Sequence, residues 1–148
     1  MHPQFTDAAA KPAAETLPEL LTDAWKRLAK EVRKLTPEAD EDQWHRARIV
    51  AKRARYAAEA LAPVLGNKVG DLAAVLATVT DELGTLQDTA VARVLISDLA
   101  LNEPGTAESG YALGLLDGVE VAAAHACRDA FRLIWPLAKD AARTAGTR

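Results

Sequence analysis

Aromatic residues make up only 5% of this 148-residue chain, and cysteine is nearly absent: Cys127 stands alone. A lone cysteine excludes an internal disulfide. With no Cys/His cluster at zinc spacing, a metal-built fold is excluded as well. A reducing, cytoplasmic setting is the simplest expectation. No stretch of about 18 uncharged apolar residues occurs, so no membrane span is expected. Residues 1–16 lack a basic segment followed by an apolar core, so they read as a flexible leader or linker instead of a signal peptide. β-branched and aromatic runs at period two, the signature of sheet, are missing too.

What the chain does have is alanine and leucine within a 49% hydrophobic content. Both are strong helix formers. Their periodicity predicts four helices. The first covers about 17–35, with Thr16 and Glu19 spaced as a capping box and Leu17, Leu21, Ala24, Trp25, Leu28, Val32 and Leu35 on one face. Thr36-Pro37 ends it. The second covers about 40–65, with Asp40, Glu41 and Asp42 suited to the positive end of the helix dipole. Pro63 can kink its last turn and Gly66-Asn67 closes it. The third covers about 68–101, with Gly84 as a candidate bend and Leu72, Val75, Leu76, Val79, Leu83, Leu86, Val91, Val94, Leu95 and Leu99 as core. After the turn at 102–105, the fourth covers about 106–142, with Leu113, Leu116, Val119, Phe131, Ile134 and Leu137 as core. Four amphipathic helices with short connections imply an all-α antiparallel four-helix bundle over 17–142, followed by a tail at 143–148.

Net charge is −3, which taken alone argues against a polyanion ligand. Its distribution argues the other way. Ten Lys/Arg and five acids lie between Trp25 and Tyr56, leaving eight basic and sixteen acidic residues of the chain's 18 and 21 for everything else. A ligand responds to the local field before the sum. In the second helix, His45, Arg48, Lys52 and Arg55 recur at i, i+3, i+7, i+10 on one arc about 15 Å long. Opposite them lie Ala47, Val50, Ala51, Ala54, Ala57, Ala58 and Leu61. Like charges at i+3 and i+4 repel, and no acid falls between Asp42 and Glu59 to offset them. Arginine supplies planar forks for phosphate oxygens and lysine a compact charge. His45 donates from one or both ring nitrogens according to its charge. Tyr56, beside this arc, adds a hydroxyl. A mixed-charge helix face is ordinarily a solvated one; a single-sign stripe facing a second basic helix points to an anion.

These residues resemble the conserved histidine α-helical domain family, CHAD. The resemblance lies in His45, Arg48-Ile49, Lys52-Arg53, Arg55-Tyr56, Glu59 and Gly66. Upstream, Trp25-Lys26-Arg27-Leu28 is similar to the family's Trp-basic-Arg-Leu start. Downstream, 83–88 (Leu-Gly-Thr-Leu-Gln-Asp) is similar to its Leu-Gly-x-Leu-Gln-Asp stretch. The similarity runs from about Leu17 to Leu137. It implies non-catalytic binding of inorganic polyphosphate, with contacts at Arg27, His45, Arg48, Lys52, Arg53 and Arg55. Lys30 and Lys34 join them on helical geometry. It also implies association with polyphosphate granules and company with a CYTH-type triphosphate-processing domain. The family has two four-helix halves, and this chain is similar to the second; the upstream His-x-x-Arg-Val signature is missing. An excised half, a natural half-length form and a homodimer all fit that difference.

Outside the stripe, His125, Arg128 and Arg132 recur at i, i+3, i+7 on the fourth helix and read as a solvated face or an extension of the cationic surface. Trp25, Trp44 and Trp135 read as packing residues, and Cys127 as a buried small apolar one. Gly114 and Gly118 suit close helix packing, and Gln87-Asp88 suits a cap or polar packing. A phosphate-cleaving enzyme would want metal-holding carboxylates among the cations; the stripe has none, so no catalysis, metal or cofactor is expected. The alternative to polyphosphate is a helical interaction domain whose basic face meets an acidic protein or nucleic acid. Aromatics for base stacking are scarce, which disfavours the latter.

Overall fold

A computed structural model describes residues 12–102 and 105–147. The described chain folds into four helices: α1 (Ala13–Val32), α2 (Glu41–Leu65), α3 (Asn67–Asn102) and α4 (Ala107–Thr144). Each packs mainly on its neighbour in sequence, α1 on α2, α2 on α3 and α3 on α4, which is the antiparallel up-and-down arrangement expected.

The helix ends follow local chemistry at α2 and depart from it at α1, which also stops at Val32, three residues short of the expected end. α1 begins at Ala13, four residues before the expected start at Leu17, and the expected Thr16 cap does not form. Instead Pro12 occupies the cap position without a side-chain bond, and the Thr16 hydroxyl donates back to the Pro12 carbonyl. Ala13 propagates helix more readily than a threonine cap stops it. The rest of the expected leader, 1–11, lies outside the described residues. At the other end α4 runs on to Thr144, two residues into the expected tail. α2 has a full capping box: Asp40 accepts from the Gln43 amide at 2.8 Å, and Gln43 accepts from the Asp40 amide at 2.9 Å. Losing such a cap costs about 1 kcal/mol, so Asp40→Ala is expected to lower the unfolding free energy by that much, read as a lower urea midpoint at unchanged slope. Gly66 alone separates α2 from α3, at φ 93°. That left-handed backbone is strained for any other residue, which is why the helix pair turns there. α2 passes through Pro63 and α3 through Gly84 without interruption.

The core is leucine and alanine, closed by an aromatic row. Leu21, Leu28, Leu72, Leu76 and Val79 are fully buried. Ala47, Ala51, Ala54 and Ala58 bury the apolar arc of α2 and let α1 and α3 approach closely. Across the bundle, Trp25 of α1 stacks on Trp135 of α4 at 5.3 Å, and Phe131 bridges Trp135 and Trp44 at 5.9 and 5.4 Å. The tryptophans are therefore packing residues, as expected, and Cys127 is buried in the same core. Burial, with the nearby Glu82 carboxylate, pushes its thiol above the ordinary value.

Helix length produces the main departure. α3 and α4 have 36 and 38 residues against 20 and 25 for α1 and α2. At 1.5 Å per residue the second pair is about 20 Å longer. Beyond the start of α2, α3 and α4 continue as a two-helix hairpin clipped by Arg93 and Asp117 at 2.8 Å. Val91, Val94, Leu95 and Leu99, expected in the core, are exposed there, as are Leu116 and Val119 of α4; Leu137, at the other end of α4 past Trp135, is exposed too. Their apolar spacing is helical, yet no helix of the described chain covers them. Gly114 and Gly118 likewise have no neighbour within 4 Å of an added Cβ, so the close packing expected at that pair does not occur among the described residues. No described helix is long and apolar enough to cross a membrane.

Candidate functional site

The cationic arc of α2 lies on the side turned toward α3. His45 is exposed, and its Nδ1 sits 2.6 Å from the Gln87 side-chain oxygen. This bond gives Gln87 the polar packing role expected of the Gln87-Asp88 pair. One turn on, Arg48 is half-buried; its Nε is enclosed and has no hydrogen-bond partner. Lys52 follows, with its ammonium 6.0 Å from the centre of the exposed Tyr56 ring. Among the described residues no carboxylate lies within ion-pair distance of Arg48 or Lys52.

Arg55 is different. Its Nε donates to Glu59 at 2.6 Å, one NH2 group donates to the Thr80 hydroxyl at 3.0 Å, and Asp81 lies 3.7 Å away. The Glu59 hydrogen bond, aided by both acids' charges, holds the guanidinium above its ordinary value. Arg55 therefore ties α2 to α3, and the unneutralised part of the arc is His45, Arg48 and Lys52. Glu59 is visible in sequence at i+4; Asp81 and Thr80 come from another helix and are not.

The other expected contacts form a second surface. Successive residues step about 100° round a helix, so Arg53 points away from Lys52, toward the side of α2 that carries Arg46. That side meets α1. Glu31 of α1 accepts two bonds from Lys34, at 2.7 and 2.9 Å. The Lys34 bond lowers the Glu31 pKa first, and the fields of Arg46 and Lys30 add to it. Lys34 is thus already paired. Arg27, Lys30 and Arg53 are exposed, with no carboxylate in ion-pair range among the described residues.

The fourth helix supplies what the sequence left open. His125 and Arg128 come round to line a cleft at the start of α2 together with His45, Gln87, Trp44 and Arg93. The Arg128 guanidinium lies 5.7 Å over the Trp44 ring, and its Nε, like that of Arg48, is enclosed without a partner. Arg132 is spent on Asp129 at 2.7 Å. Arg128 in this cleft, which Glu41 also lines, and Arg48 further along α2 thus each hold an enclosed donor with unmet hydrogen-bonding capacity. No group of three or more His, Cys, Asp or Glu among the described residues is arranged to hold a metal ion.

Residues 1–97 match the family of the CHAD domain. The chain belongs to the CHAD family. The match takes in α1, α2 and α3 as far as Ser97. It therefore contains the whole α2 arc and Gln87, and it stops short of the Leu137 to which the resemblance was traced. The part of the CHAD chain outside it includes α4, with His125, Arg128 and Arg132. The chain has no match among curated proteins and none among solved structures.

Proposed function

We propose that this CHAD chain is a non-catalytic binding module for inorganic polyphosphate, gripped by the α2 arc. The observation that carries the reading is the state of Arg48 and Lys52: adjacent turns of one helix, single sign, with no carboxylate answering either among the described residues. Cations placed so repel one another and leave donors unmet until an anion arrives. A linear chain of phosphates answers every turn of such an arc; a single phosphate answers one. His45, on the same arc, is held through its Nδ1 by the Gln87 side-chain oxygen. Tyr56 extends the arc with a hydroxyl. Arg27, Lys30, Arg53 and, once released from Glu31, Lys34 give a long polymer a second place to lie. Arg55 supports this surface by fixing α2 against α3.

A CYTH-type domain, a further CHAD half and polyphosphate granules are the partners and setting this reading suggests. Filter binding with long-chain polyphosphate across salt concentrations is the direct test. Affinity is expected to fall steeply and linearly in log–log form, through counterion release. Single-stranded RNA of equal charge is expected to compete poorly, since the arc offers bases only Tyr56 to stack on. Equal affinity for RNA, or retention of an acidic protein that polyphosphate leaves undisturbed, would transfer the surface to the alternative reading.

A further inference from the structure

The face of α4 turned away from the bundle carries an apolar seam that the described residues leave exposed. Leu115, Val119, Leu133 and Leu137 are 54%, 62%, 77% and 59% exposed. Ala122 and Ala126 are exposed between them and Ala130 is half-buried. These seven positions follow each other at steps of three and four, so they form one line about 33 Å long on an α-helix. Asp117, Glu120, His125, Arg128, Asp129 and Arg132 fall on the other sides of the helix. The acids nearest the seam are Asp129, bonded to Arg132, and Asp140, one turn past Leu137 and bonded to Arg143.

The seam is palindromic. Ala122 and Ala130 lie four residues either side of Ala126, Val119 and Leu133 lie seven, and Leu115 and Leu137 lie eleven. An interface between identical copies needs this property, because residue i must meet j while j meets i. We infer that α4 pairs with α4 of a second copy, antiparallel, about a two-fold axis at Ala126. Leu115 of one copy then faces Leu137 of the other, Val119 faces Leu133, and alanine meets alanine at the centre. Small residues at the crossing let the axes approach to about 8 Å, and the larger side chains fill the space as the helices diverge. The seam's lack of charge gives an anionic polymer or acidic protein nothing to hold, while it suits its own copy. Covering the band on two copies removes on the order of 1,000 Å² from water, the lower limit for a specific interface. The pairing is independent of what the α2 arc binds.

Light scattering on the full chain at about 100 μM, a load suited to a weak interface of this size, is expected to give twice the 15.8 kDa chain mass. Ala126→Glu, at an exposed position, is expected to return the mass to one chain with helical circular dichroism unchanged. Cysteine pairs in a Cys127→Ala background test the register. Ala126→Cys is expected to form a disulfide-linked dimer by itself. Leu115→Cys and Leu137→Cys are each expected to remain uncrosslinked alone and to crosslink when the two proteins are mixed. A single-chain mass for the unmodified protein would overturn the proposal. So would self-crosslinking by Leu115→Cys, which marks a parallel pair, or an Ala126→Glu mass that stays doubled.

Discussion

Arg48→Glu combined with Lys52→Glu is expected to abolish retention of long-chain polyphosphate at 0.1 M salt. Charge-assisted hydrogen bonds contribute about 1.5–3 kcal/mol each, so two lost contacts amount to roughly a hundred- to ten-thousand-fold before the new repulsion is counted. The double reversal also removes two cations from the counterion balance, so the salt dependence is expected to flatten by about two in log–log slope. Lys68→Glu, on an exposed residue near the opposite end of the bundle, is expected to leave both quantities nearly unchanged. The comparison separates a defined surface from a general loss of positive charge. Neither Arg48 nor Lys52 holds an ion pair in the described structure, so the double variant should melt like the unmodified chain. Arg55→Glu is a contrasting variant. It breaks the bonds to Glu59 and Thr80 and sets a third acid beside Asp81, so its binding loss is expected to arrive with a loss of stability. Binding by Arg48→Glu/Lys52→Glu equal to that of the unmodified chain would remove the α2 arc from the proposed function.

Phe131→Ala is expected to cost about 3–5 kcal/mol, the range for truncating a buried aromatic. Globular proteins hold together by about 5–15 kcal/mol in total, so this single change consumes a large share. Phe131 is buried between Trp44 and Trp135, and Trp135 in turn stacks on Trp25. This row connects α4 to both α1 and α2, across the bundle from the sequential contacts. All three tryptophans adjoin it, so their fluorescence during urea unfolding reports the loss directly. Trp44 immediately precedes His45, and Arg128 lies over its ring. Loosening the row is therefore expected to blunt polyphosphate binding as well, although Phe131 touches no cation of the arc. A midpoint shift worth under about 1 kcal/mol, typical of surface sites, would mean that the row is not what holds α4 on.

Local chemistry predicted well at both ends of α2. Asp40 stands before α2 with Gln43 three residues on, and the capping box forms. Gly66 ends α2 because only glycine enters a left-handed φ freely. Thr16 and Glu19 have the same kind of spacing, and no cap forms there. Helix propagates upstream through Ala13, and the pattern cannot state how far. α4 shows a different failure. Val119 and Leu137 have the spacing of core residues, and the structure leaves them facing outward. An apolar stripe states that a face wants cover; it does not state which helix provides it.

The chain's own order of residues determines that the fold is helical, that the described residues form four helices, and that His45, Arg48, Lys52 and Arg55 share one arc of α2. Periodicity and the 100° step decide these things within a single element. The tertiary structure decides which of those cations remain free. Asp81 and Thr80 reach Arg55 from 26 and 25 residues further along, Gln87 reaches His45 from 42, and α4 brings His125 and Arg128 to the same cleft. It also decides that α3 and α4 outrun their neighbours and leave apolar surface bare. Such pairings depend on helix lengths and on the registry between helices, which no window of local sequence contains.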